Sequence, residues 1–369
     1  MTGIRVFALI LVLSGLVSGC SFRPDDSVLT PVPDVAKAQV VMLHAVTNRA
    51  PVSRPGADAS GVLFGNGRAQ GLSATRFSIS IPPAHRIGDI EWPDGSPDPR
   101  TDMFVVARQD LPLSALVDDV APWPRRTDVR VFVHGYNTSY PEGLFRLAQI
   151  AHDSGGEGAA ILFAWPSTAT LMGYAADREA ATYSRDHLAD LLTMLARDQR
   201  IGPITVLGHS MGGWLVMETL RQLRLGGDDA TLRRLQVVLA APDIDMDVFR
   251  AQLGAVGPLE PPLTVLVASD DRALRVSARV NAPSIRVGAL DLGDPRMAAA
   301  AKTHRIALVD ISDLQSPDAQ GHSRYAILAA LQAGLRPQPG EALWDAGAFV
   351  LGQAGAAASS PVILITEKF

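Results

Sequence analysis

Ser210 lies in the run Gly208-His209-Ser210-Met211-Gly212, preceded by apolar Ile204, Val206 and Leu207 and followed by a stretch of helical character. A strand, a serine flanked by glycines at this spacing and then a helix form a nucleophile elbow. The serine occupies a sharp turn that exposes its hydroxyl above a sheet, and the next backbone N–H points at the reaction centre. Small residues are required at Gly208 and Gly212 because the turn presses strand and helix together. Three fixed positions recur by chance, so the motif counts only in this strand-to-helix setting. A serine hydroxyl is a poor nucleophile until a base takes its proton, and an imidazole base needs a carboxylate to fix its tautomer and stabilise the imidazolium. The chain must therefore bring an acid and a histidine to Ser210.

In sheets that carry this elbow the partners follow in the order serine, acid, histidine, each after a later strand. The apolar run Leu263 to Ala268 ends in Ser269, Asp270 and Asp271, and the run ending at Asp310 is followed by a loop containing His322. Asp271 is preferred to Asp270 as the acid because it stands three residues after Ala268, the small residue that ends the strand, as the acid does in many enzymes that carry this elbow. The competing role for either aspartate is to cap the helix near Arg272 to Val276. Of the eight histidines, His44 and His85 precede the strand-helix rhythm, His152 and His187 lie on helices, and His304 opens the last strand at the wrong end. His209 leaves the elbow beside the serine, where a packing or structural role is commoner. His322 remains as the base. Two N–H donors must hold the oxyanion, and Met211 supplies one. The other is assigned to Tyr136, in the His134-Gly135-Tyr136-Asn137 run after the strand Val129 to Val133. Trp165, Met172, Tyr174 and Trp214 are expected to line a substrate pocket, with ordinary core packing as the alternative.

These groups need a frame that delivers all of them to one edge. After Pro124 the sequence alternates strand and helix: Val129 to Val133, Glu142 to His152, Ala159 to Ala164, Ala175 to Arg197, Ile204 to Leu207, Trp214 to Arg224, Leu235 to Ala240, Leu263 to Ala268, Ile306 to Asp310, and a helix from about Ser323 to Leu335. Such alternation gives an α/β fold with a mostly parallel central sheet and helices on both faces. Before it, Val40 to Val46, Phe77 to Ile81 and Met103 to Ala107 have strand length, separated by Pro- and Gly-rich segments at Pro51 to Gly71 and Pro82 to Pro99 that read as long loops. The folded domain is expected over 38–336, with an Ala/Gly-rich tail over 337–369.

The 369 residues are 47% hydrophobic, enough for one large α/β domain, and carry a formal charge of -5 with no basic stripe, which disfavours nucleic acid as a partner. The lone cysteine, Cys20, excludes an internal disulfide and a cysteine-based metal site. Arg5, the apolar run Val6 to Val17 and the small residues Ser18 and Gly19 before Cys20 have the form of a bacterial lipoprotein signal over 1–19, too short for the ~20 residues of a membrane span. A cleaved leader with a coincidental cysteine is the alternative. Cys20 is thus expected to be lipidated, with a polar, proline-bearing tether over 20–37 and attachment to the cell envelope. The absence of aspartate after the cysteine favours the outer membrane, facing the periplasm. Oligomeric state is left open.

Other pattern matches fail. Asp243, Asp245 and Asp247 resemble the start of a calcium loop, but Val248 and Gly254 stand where glycine and glutamate are needed, so a helix N-terminal region is expected instead. Gly65, Gly67 and Gly71 lack dinucleotide-fingerprint spacing. Asn137-Thr138-Ser139 fits a glycosylation sequon by accident if its loop lines the site. No cofactor and no metal are expected.

His134 to Asn137, Phe163 to Ser167, Tyr174 to Glu179, His209 to Gly212, Ala241 to Asp245, Ser269 to Leu274 and His322 together resemble the bacterial α/β-hydrolases grouped as a domain of unknown function, DUF900, over about Val40 to Leu335. One departure is Gly212-Gly213, where many relatives have Gly-Asn. The resemblance implies the α/β-hydrolase fold and a serine hydrolase-like site, with Ser210, Asp271 and His322 as its triad. The expected reaction is cleavage of a small-molecule or lipid carboxylic ester through an acyl-enzyme. An amidase or peptidase would use the same groups, and a non-catalytic binding lipoprotein of this fold is the other class. Dehalogenases and epoxide hydrolases of this fold need an aspartate where Ser210 stands.

Overall fold

A computed structural model describes residues 23–32, 39–53, 61–122, 126–155, 158–280, 285–292 and 301–328. The expected leader, Cys20, the expected end of the last helix and the expected C-terminal tail lie outside the described residues. Among the described residues nine strands make one sheet in the order β3-β2-β1-β5-β4-β6-β7-β8-β9. The strands are β1 (Gln39–Val52), β2 (Leu63–Ile81), β3 (Phe104–Leu111), β4 (Thr127–Val133), β5 (Ala159–Ala164), β6 (Ile201–His209), β7 (Leu235–Ala240), β8 (Thr264–Val267) and β9 (Ala307–Asp310). β1, β2 and β3 pair antiparallel, and from β1 onward every pair is parallel. The expected mostly parallel α/β sheet is what the chain forms.

Side chains of a strand alternate between faces, so a strand buried on both sides must be apolar throughout. In β4 and β5, Val129, Val131, Val133, Ile161 and Phe163 join one core and Phe132, Ala160, Leu162 and Ala164 the other. Helices cover both. α1 (Leu116–Val120), α3 (Tyr174–Arg197), α4 (Met211–Leu225) and α6 (Met246–Val256) pack on the first face, and α2 (Tyr140–Asp153) packs on the second. A short α5 (Asp229–Leu232) precedes β7, and α7 (Arg272–Val280) follows β8. Ser139 starts α2 with a reciprocal cap, its hydroxyl taking the Glu142 N–H while the Glu142 carboxylate takes its own. Asp245, from the rejected calcium-like run, caps α6 by accepting the N–H groups of Asp247 and Val248.

Two expectations need correcting. Much of the segment Pro51 to Gly71 is strand, because β1 and β2 extend as a two-stranded ribbon in which Pro51 faces Phe64 and Val52 faces Leu63. Beyond Thr47, β1 no longer pairs with β5, so Pro51 lies where its missing N–H costs no ladder bond on that side. The segment expected as a tether over 20–37 also folds onto the domain where it is described. A 3₁₀ turn (Asp26–Leu29) buries Leu29 against the α2 face, and Val32 N–H bonds to Val105 O. Among the described residues no helix is long and apolar enough to cross a membrane.

Candidate active site

The first turn of α4 is set by Ser210, whose backbone has φ 53° and ψ -121°. Positive φ is unusual for a residue with a Cβ, and holding it costs about 1–3 kcal/mol that the surroundings must supply. They do so through Ser210 N–H to Ala240 O (3.0 Å), and through Ser210 O, which accepts from Gly213 N (2.9 Å) and Asp243 N (3.2 Å). The reason for the small neighbours is visible. A Cβ on Gly212 would lie 2.3 and 2.4 Å from the Val133 and His134 carbonyl oxygens, and one on Gly208 2.9 Å from Gly213 Cα. A side chain at either position would push helix from sheet.

The acid and base meet as the strand order requires. Asp271, fully buried beyond the end of β8, takes His322 Nδ1 on Oδ2 at 2.6 Å and Leu274 N–H on Oδ1 at 3.0 Å. It both orients the imidazole and caps α7, so the two roles weighed against each other in the sequence belong to one residue. Asp270 turns away and binds Arg324 with both oxygens, at 2.8 and 2.7 Å. That fork fixes the loop carrying the base. Burial alone would lower the His322 pKa, but the Asp271 hydrogen bond and charge, with Asp318 and Asp243 behind it, raise it above the usual value. Among the described residues His322 Nε2 makes no hydrogen bond, that to Ser210 Oγ included, a contact often loose before substrate binds. The elbow and the base loop touch through His209, whose Nε2 lies 3.2 Å from His322 O and whose ring centroid is 4.6 Å from that of His322. Burial and the His322 charge hold the His209 pKa well down, so it is a neutral tie.

Tyr136 lies in the loop after β4, directly over the elbow: a Cβ on Gly135 would come 3.0 Å from Ser210 Cβ. The loop is held from behind by Asp177 of α3, fully buried, which accepts Asn137 N–H (3.1 Å), Thr168 N–H (2.6 Å) and the Ser167 hydroxyl (2.6 Å). Arg49 of β1, also buried, donates to the carbonyls of Thr138 (3.1 Å) and Ser167 (3.2 Å), its pKa lowered by burial to about 10. Sequence reasoning singled out the segment Tyr174 to Glu179 but not the role of Asp177, and it missed Arg49, which arrives from the antiparallel part of the sheet. The four expected pocket residues divide. Trp165 is core, fully buried with Nε1 on His134 O at 2.8 Å. Trp214 is nearly buried under the Arg178 guanidinium, Tyr174 donates to Asp243 Oδ2 at 2.9 Å, and only Met172 is open to solvent, beside exposed Leu171.

The strand order and the elbow define an α/β-hydrolase. A family model described as "Alpha/beta hydrolase of unknown function (DUF900)" matches residues 116–337, more than half of the sequence, and the chain belongs to that family. No curated protein matches it. A crystal structure described as a "Putative hydrolase from Agrobacterium vitis S4" is similar at 15% identity over 58% of this chain and 80% of that one, with a TM-score of 0.29.

Proposed function

We propose that this hydrolase cleaves carboxylic esters through an acyl-enzyme formed on Ser210. The observation that supports it best is the strained, glycine-flanked Ser210 at the end of β6 with the Asp271–His322 pair beyond the ends of β8 and β9 in the same sheet. Ser210 Oγ attacks the ester carbonyl carbon while His322 Nε2 takes the hydroxyl proton. The oxyanion is held by the N–H groups of Tyr136 and Met211. The tetrahedral adduct collapses, the C–O bond to the alcohol breaks, and His322 returns the proton to the departing alkoxide. Water, deprotonated by His322, then releases the acid and restores Ser210. Fluorophosphonate labelling of Ser210 with turnover of a p-nitrophenyl ester series tests the reaction and ranks acyl-chain length. An unlabelled, inactive wild-type protein would leave a binding lipoprotein of the same fold.

The enzyme is further proposed to sit on the envelope membrane through lipidated Cys20. Arg23 supports an arrangement in which the site faces the lipid, since its guanidinium binds Glu142 Oε1 (3.0 Å), Asn137 O (2.9 Å) and Ala169 O beside the Tyr136 loop. Three residues of chain reach about 10 Å at most, so a lipid on Cys20 would be held within that reach of Arg23. Metabolic labelling with a palmitate analogue in wild type and Cys20→Ser tests the anchor: an unlabelled wild type removes it.

A further inference from the structure

α2 starts at the loop that carries Tyr136 and runs back along the sheet, so its last residues, His152 and Asp153, lie about 20 Å away along its axis. There they meet His85 and Glu91 from the long loop between β2 and β3. Ligand atoms of His85, His152 and Asp153 all lie within 4.8 Å of one another. His85 Nε2 is 2.9 Å from Asp153 Oδ1, while its Nδ1 is 2.8 Å from Glu91 Oε2. A metal-bound histidine usually gives its other ring nitrogen to a carboxylate, which fixes the tautomer and leaves the outer nitrogen for the ion. Glu91 is placed to do this, and it is itself fixed by Arg86 N–H on Oε1 at 2.9 Å. The other Asp153 oxygen is satisfied by Gly88 N–H (2.9 Å) and Gln149 Nε2 (2.6 Å), leaving Oδ1 to face His85. The His152 ring meets His85 edge-on with centroids 5.1 Å apart and makes no hydrogen bond to a described residue.

We propose that His85, His152 and Asp153 bind one Zn²⁺, with Glu91 as the outer carboxylate and water completing a tetrahedron. Bonds of about 2.0–2.1 Å place tetrahedral ligand atoms roughly 3.3 Å apart, so the 2.9 Å between His85 Nε2 and Asp153 Oδ1 need open only slightly. Nitrogen and oxygen donors at this count suit zinc rather than calcium or magnesium, which prefer six or more oxygens or their own waters. The position at the end of α2 helps, because the partial negative charge of a helix C-terminus favours a cation. Arg146, which donates to Gly88 O and Gln149 Oε1, opposes it, and the carboxylates of Asp153 and Glu91 outweigh that single charge. The ion would clip the loop over 82–103 to α2. Through Gln149, which also donates to Ala326 O at 3.2 Å, it would reach the segment just after His322.

The full chain, stripped with a chelator and dialysed against micromolar Zn²⁺, should retain about one metal per chain by mass spectrometry and melt several degrees higher. His152→Ala should lose both effects while its metal-free melting temperature stays at the wild-type value. His187→Ala, a control on the other face, should keep both. Glu91→Gln should weaken the affinity by about 10–100-fold, the usual cost of an outer-shell carboxylate. Retention of far less than one zinc by the wild type, or undiminished binding in His152→Ala, overturns the proposal and leaves a proton-bridged ion cluster.

Discussion

Two imidazole–carboxylate clusters, built from the same residue types, sit at opposite ends of this sheet and differ in one respect that decides their chemistry. His322 has a carboxylate on Nδ1 alone, and its Nε2 makes no hydrogen bond to a described residue. His85 has a carboxylate on each nitrogen. Burial alone would lower the His85 pKa, but Asp153 and Glu91 together push it up to about 9, and His322, with one direct carboxylate partner, is raised as well. An imidazole pinned on both sides cannot take a proton from a hydroxyl. One pinned on a single side keeps a ring nitrogen for that proton. The difference arises because β8 and β9 end at the edge where β6 turns into α4, while α2 carries Asp153 to the other edge.

The comparison breaks first at the nucleophile. Ser210→Ala should abolish fluorophosphonate labelling and lower ester turnover by roughly 10⁴ or more, since only the oxyanion donors and substrate binding remain. A labelled mutant would move the nucleophile elsewhere. Asp271→Asn should cost about 10⁴ in kcat, because an amide can hold the imidazole in the wrong tautomer. Asp270→Asn weakens only the fork to Arg324, so it should cost less than about tenfold. Equal rates in the two variants would mean that the carboxylate on His322 Nδ1 has no catalytic role.

Asp177→Asn tests the loop rather than the base. It replaces a buried acceptor of three hydrogen bonds, and kcat should fall by about 10–100-fold with little change in KM, less than the roughly 10²–10³ that loss of one oxyanion donor costs. An equal loss expressed wholly in KM would place the loop in substrate binding instead. The smallest effect concerns pH. His322 acts as a base only when neutral, and its pKa is raised, so kcat/KM should fall as pH drops through a value above 6.5. Asp318 accepts His322 N–H at 3.1 Å and contributes to that rise, so Asp318→Asn should move the acid limb down by less than about one pH unit. His152→Ala, in the other cluster, should leave the limb in place. A shift there would couple the two ends of the sheet.

The sequence alone determined the parallel part of the sheet and the elbow, because both are local: period-2 apolar runs that bury two faces, a turn that tolerates only glycine beside Ser210, and caps such as Ser139 and Asp245. It also gave the order of strands along the chain, and hence which strand ends could carry an acid and a base. What it could not do was divide Asp270 from Asp271 on physical grounds, since adjacent side chains at a strand end differ only in direction, and direction is fixed by Arg324 and His322 more than fifty residues away. Nor could it choose core over pocket for Trp165, or see that Arg49 and Asp177 clamp the Tyr136 loop from two sides or that residues 26–29 fold against α2. His85 and His152 looked unremarkable for the same reason: one lies on a loop and one on a helix, and neither has a ligand at motif spacing. Those relations join residues distant in sequence through burial and hydrogen bonding, and no local period or spacing encodes them. Only the folded chain, in which a buried polar group must find a partner wherever one is available, decides them.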